Sequence, residues 1–132
     1  MFKDTIIVST IIIIFFLVGL VLFSEINKNI KINESKENFF LIKNEIHQEI
    51  INCKKNNQTW IFGGFCKTYP SIHLIQKYFN KIKHIKNPYD FANGVNGTSG
   101  STMIEMKLNE IVLSVDFNND GGIDIRQTID LN

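Results

Sequence analysis

The sequence predicts an α+β fold, in which a long N-terminal helix (membrane-spanning, then amphipathic) packs with a second helix on a small antiparallel β-meander. Three observations carry this. Ile6–Phe23 is an apolar run without a charge. Phe39, Ile42, Ile46, Ile50 and Cys53 then step by three, four, four and three, which is one face of an α-helix. Beyond Ser101 the apolar period changes to two. A chain of 132 residues has room for one small domain beside such a segment. It divides into a transmembrane anchor helix over residues 1–26, and a stalk helix with an α+β head over residues 27–132.

The anchor comes first. Eighteen helical residues span about 27 Å, close to the ~30 Å hydrocarbon thickness of a bilayer. Phe2 and Ile26 extend the segment at its interfaces. Each Ile, Leu, Phe or Val contributes roughly −0.3 to −0.6 kcal/mol to insertion, so the run inserts favourably by several kcal/mol. Ser9 and Thr10 do not oppose this, since a helix lets their hydroxyls bond back to backbone carbonyls. A core helix would rarely be apolar on every face. Leu22-Phe23-Ser24-Glu25-Ile26 offers no small-x-small cleavage pattern, and the run is longer than a signal-peptide core, so a retained anchor is expected. Lys3 precedes the run while Lys28, Lys31 and Lys36 follow it, which by the positive-inside rule mildly favours a cytoplasmic C-terminus. The two cysteines argue for an exported head and carry more weight, giving a single-pass inner-membrane protein whose head is periplasmic or extracellular.

From Ser24 to Lys55 no proline or glycine interrupts the helical pattern. Glu25–Asn38 reads as a polar stalk, and the apolar face from Phe39 to Cys53 lies against the head. Asn56-Asn57-Gln58 ends the helix. Trp60–Phe65 is an aromatic loop turning at Gly63-Gly64. A second helix follows, with Pro70 at its first position, Thr68 or Tyr69 as cap, and Ile72, Ile75, Phe79 and Ile82 inward. Asn87-Pro88 stops it, because proline disfavours helix in the residue before it. Phe91–Ser101 is a glycine-rich loop. Three alternating sets come next: Thr102 to Leu108, Ile111 to Phe117, and Ile123 to Leu131. They turn at Leu108-Asn109-Glu110 and at Asn118–Gly122.

Few constellations carry chemistry. Cys53 and Cys66 suit one disulfide, which would contribute about 3 kcal/mol by restricting the unfolded chain. Zinc held by these two with His47 and His73 lacks any Cys-x-x-Cys or His-x-x-x-His spacing. Asp116, Asn118, Asp120 and Asp124 place oxygens at the alternate positions of a calcium loop around Gly121, so calcium is the one cofactor they suggest. Gln127 stands where such a loop needs a bidentate carboxylate, and both flanks read as strands. The same Asn-Asp-Gly-Gly run is also a tight-turn sequence. The three histidines have no metalloprotease spacing, and there is no nucleophile elbow or phosphate-cradling loop, so no enzyme is expected. With 14 basic and 13 acidic residues the net charge is +1, which excludes a basic sleeve for nucleic acid.

The order of parts resembles type IV pilins and type II secretion pseudopilins. The resemblance rests on an apolar helix running into an amphipathic one, a cysteine loop, a second helix and a glycine-rich stretch before a terminal meander. Locally it is carried by Asn87-Pro88-Tyr89-Asp90 and by Val115–Ile129 with its Asp/Gly turn. It implies a structural or assembly subunit, anchored in membrane lipid and joined to other pilin-like subunits through Ile6–Phe23, with Gly19 allowing close helix approach. No Gly-Phe-Thr-Leu-Ile-Glu-like start and no glutamate within Ile6–Phe23 is present, which implies a minor, tip-like or degenerate member among such subunits. A different class is a stand-alone single-pass protein whose head binds a ligand or partner.

Overall fold

An unbroken helix, α1 (Phe2–Asn56), runs through the apolar segment and the amphipathic face, as the absence of proline and glycine over residues 24–55 allows. The structure is a computed structural model that describes residues 2–56 and 59–132; Asn57 and Gln58, expected to help end the helix, lie outside the described residues. The chain forms two compact units, the residues up to Ile30 and Lys31–Asn132.

In the second unit α1 buries the predicted stripe. Phe39, Ile42 and Ile46 are fully buried, and Ile50 and Cys53 nearly so. This stripe joins one core with Trp60, Phe62, Ile75, Phe79, Ile104, Ile111, Leu113, Val115 and Ile129. The loop after α1 turns at Gly63 and Gly64, both at positive φ, and closes through Gly63 N–H to the Trp60 carbonyl and Trp60 N–H to the Gly64 carbonyl, each at 2.9 Å.

The second helix differs from expectation in start and phase. It begins with Ser71 as N-cap, so α2 is Ile72–Lys77; Pro70 lies before it, and neither Thr68 nor Tyr69 caps it. It passes into a π-helical turn at Tyr78–Ile82, closed by Lys83 N–H to the Tyr78 carbonyl at 2.9 Å. The extra residue in that turn rotates the inner face. Tyr78 and Phe79 point inward, whereas Ile82, expected in the core, is 62% exposed. The buried Tyr78 hydroxyl donates to Glu45 Oε1 at 2.6 Å, and Lys83 Nζ lies 3.0 Å from the same oxygen. The helical segment therefore ends before Asn87-Pro88 is reached, with His84 at φ 56° reversing the chain.

Three strands complete the unit: β1 (Met103–Lys107), β2 (Glu110–Val115) and β3 (Ile125–Asp130), antiparallel in the order β1-β2-β3. The register pairs Ile104 with Leu113 and Ile111 with Ile129. The central strand is buried on both faces. Leu108 sits at the β1–β2 turn and is 86% exposed, and Ile123 lies outside β3 in the preceding turn. Leu108 lies in the turn expected at Leu108-Asn109-Glu110, where the pleat of β1 has ended, whereas Ile123, expected on the alternating inner face, is displaced because β3 starts only at Ile125.

Candidate functional site

The first candidate is the apolar segment. Every residue from Ile6 to Phe23 is exposed, the large side chains between 47% at Ile11 and 73% at Phe15. Ser9 Oγ and Thr10 Oγ1 both donate to the Ile6 carbonyl, at 2.9 and 2.8 Å, so neither hydroxyl is left unpaired. At Gly19 a methyl group in place of the hydrogen would meet nothing within 4 Å among the described residues, so its helix face is open. Among the described residues this is the one helix long and apolar enough to cross a membrane.

The second candidate is the network that ties the loops of the head. Asn87 is fully buried and fully used. Its Nδ2 donates to Thr98 Oγ1 at 2.9 Å and to the Ser99 carbonyl at 2.8 Å, while its Oδ1 accepts from Tyr89 N–H at 3.0 Å. Asp90 accepts from the Thr98 hydroxyl and from Ala92 N–H. The Thr98 hydroxyl, followed by that N–H, holds the Asp90 carboxyl below its ordinary range. The Tyr89 hydroxyl donates to the Phe117 carbonyl. Burial, and then the nearby charges of Asp116 and Asp124, push that phenol up.

The expected calcium residues share one turn. Asp116 Oδ2 accepts from Ser99 Oγ at 2.6 Å and from Gly121 N–H at 2.7 Å, and Asp116 Oδ1 accepts from Asp120 N–H at 3.2 Å. Asn118 Oδ1 accepts from Asp120 N–H, Asp120 Oδ1 from Gly122 N–H, and Asp124 Oδ2 from Phe117 N–H at 2.7 Å. Burial pushes the Asp116 carboxyl up, but the Ser99 hydroxyl and the N–H groups of Gly121, Asp120 and Asn119 outweigh it and hold the group below its ordinary value. Gly121 at φ 92° and Asn119 at φ 59° supply the left-handed backbone that the turn needs. Among the described residues no three His, Cys, Asp or Glu side chains converge to hold a metal ion. Beside this turn lies an open depression of about 470 Å³, lined by Ser99, Ser101, Glu105, Asp116 and the exposed Met103 and Ile123.

Cys53 and Cys66 are joined as a disulfide with a Cα–Cα separation of 5.2 Å, fixing the aromatic loop to the end of α1. The bond also removes both sulfurs from any zinc set with His47 and His73.

No protein-family model, curated protein or solved structure matches the chain. The reading of its function therefore stands on its own residues. Sequence reasoning found Cys53, Cys66 and the Asp116–Asp124 turn. It treated Asn87 as a helix stop and passed over Ser99. The signal for Asn87 was the Asn-Pro-Tyr-Asp run, a polar residue immediately before proline. Ser99 carried no signal, because its partner lies 17 residues away.

Proposed function

We propose that this is a pilin-like or pseudopilin-like structural or assembly subunit, anchored in the inner membrane by Ile6–Phe23, with its head periplasmic or extracellular. The observation that supports it is the 18-residue apolar face, exposed all round, on a helix that continues without a break into the core of an α+β head. Burying that face against lipid, or against the same segment of neighbouring subunits, removes a large apolar area from water. The disulfide accords with an oxidising compartment for the head. The proposal assigns the head neither catalysis nor a nucleic-acid partner.

Two measurements test it. The protein should co-purify with extracellular fibres or with a secretion assembly, and its mature mass should report removal of a short leader. Full-length protein recovered as a dissolved monomer without detergent would overturn the reading.

A stand-alone single-pass protein with a binding head is the second reading, favoured by the open depression beside Asp116. Membrane retention together with an unprocessed mass and absence from fibres would select it. Calcium is the finer part of either reading, with Asp116, Asn118, Asp120 and Asp124 as its oxygen donors. It rests on their shared turn around Gly121, where an ion would displace the N–H groups that now occupy both Asp116 oxygens and one oxygen each of Asp120 and Asp124. A melting temperature that rises with calcium and falls with chelator would establish it, and one indifferent to both would reduce the loop to a tight turn.

A further inference from the structure

The near-neutral net charge conceals a strong separation along the chain. Ile50–Tyr89 holds seven lysines and no aspartate or glutamate, whereas Asp90–Asn132 holds seven acidic residues against Lys107 and Arg126 alone. Little of this separation is cancelled by ion pairs within the fold, although Lys54 Nζ donates to the backbone oxygen of Asn132, and Lys31 and Lys36 on α1 lie over the Tyr89 and Phe117 rings. Among the described residues the ion pairs are Lys83 with Glu45 on α1, Lys107 with Glu110, and Arg126 with Glu105; none joins the lysine-rich segment to the acidic one. Lys77 and Lys81 are exposed one helical step apart. With His73, Gln76, Asn80 and Asn93 they line a depression of about 370 Å³ that contains no carboxylate among the described residues. On the acidic side Asp120 and Asp124 are exposed, and each spends only one carboxylate oxygen on backbone N–H groups. Each patch also carries an isoleucine that the fold leaves uncovered: Ile82 beside Lys81, and Ile123 beside Asp124, both 62% exposed.

We propose that the Lys77/Lys81/Ile82 patch of one copy docks on the Asp120/Ile123/Asp124 patch of a second copy of this chain. An apolar centre with a charged rim is the ordinary anatomy of a protein interface, and opposite charges fix its register. A polyanion would use the lysines but be repelled by the acidic patch; a second copy uses both. The two patches share no residue, so the contact is heterologous, and each copy keeps one free patch of each kind. Such a contact propagates into a chain or closes into a ring. The inference deepens the subunit reading above and rests on it.

The test uses the full chain in vesicles of neutral lipid, with equal amounts of ¹⁴N- and ¹⁵N-labelled protein. A carbodiimide then couples lysines to carboxylates in contact, and mass spectrometry reads the products. Mixed-isotope links from Lys77 or Lys81 to Asp120 or Asp124 are expected, weakening as salt rises. Lys77→Glu/Lys81→Glu alters exposed side chains that have no ion-pair partner among the described residues, and should lower the fraction of oligomer on non-covalent sizing about tenfold. Asp120→Asn/Asp124→Asn keeps an acceptor oxygen for the turn, and should prevent higher oligomers on non-covalent sizing. Mixing the two variants restores one good contact per pair, so sizing should stop at dimers. Wild-type protein giving only same-isotope links, variants that assemble like wild type, or a mixture no more associated than its parts would each overturn the proposal. Binding of anionic vesicles by the lysine patch with no mixed-isotope links would overturn it in favour of a lipid partner. Heads that dock in protein absent from fibres leave this contact standing while the subunit reading fails; fibres without these links do the reverse.

Discussion

The Ser35 hydroxyl, buried on α1, donates at 2.8 Å to the carbonyl of Gly100, 65 residues later. That bond pins the glycine-rich loop to the helix at a place where a larger side chain has no room. Gly100 lies at φ 92°, and a methyl there would fall 2.5 Å from Tyr89 Cδ2 and 2.8 Å from Asn87 Oδ1. Ser35→Ala leaves the carbonyl unpaired and should cost about 1–2 kcal/mol. Gly100→Ala adds backbone strain to a clash and should cost about 3 kcal/mol or more. Thermal melts of the two variants check the order; an equal loss would show that the loop yields at Gly100.

The disulfide gives a prediction with its own control. Cys53→Ser should destabilise the head by about 2–4 kcal/mol under oxidising conditions. In reductant the variant and the wild type should melt together. A loss of the same size in both conditions would assign the effect to packing of the nearly buried Cys53 side chain.

Retention in the membrane depends on the middle of the apolar run. Leu17→Arg combined with Gly19→Arg places two charges near the bilayer centre at roughly 3 kcal/mol each, together comparable to what the apolar run gains on insertion, and should move the protein out of the membrane fraction. Ser9→Ala, which removes a hydroxyl already bonded within the helix, should leave fractionation unchanged. A double arginine variant that fractionates normally would contradict the anchor.

Acid should act through Asp116. Its folded carboxyl titrates below the unfolded value of about 3.9, so its contribution is complete above that value and is lost as pH falls through the lower folded one. Asp116→Asn should therefore cost about 2 kcal/mol at neutral pH. The difference from wild type should shrink as pH drops below about 4. A difference that is constant with pH would mean that the charge of Asp116 contributes nothing to the turn.

How far the sequence reached is clearest in the helices. Spacing alone placed Phe39, Ile42, Ile46, Ile50 and Cys53 inward on α1, because a straight helix keeps its phase over many turns. The same rule misplaced Ile82, since one π-helical turn at Tyr78–Ile82 shifts the phase by a residue and no local pattern announces it. The candidate site was legible where its oxygen atoms are close in sequence, as in Asp116–Asp124. It was illegible where Ser99 and Asn87 reach across loops. Net charge hid what the order of charges held: the lysines of Ile50–Tyr89 and the acids beyond were there to be counted, but whether they cancel is a question of distance.

By itself the sequence determined the apolar segment, the amphipathic face of α1 and the two-residue period of the meander, because each follows from covalent spacing along one element. Tertiary structure alone decided the direction of Tyr78 and Ile82, the bond from Ser35 to Gly100, and the reach of Ser99 to Asp116. Those depend on which residues distant in the chain become neighbours, and burial and hydrogen bonding over the whole head select that arrangement.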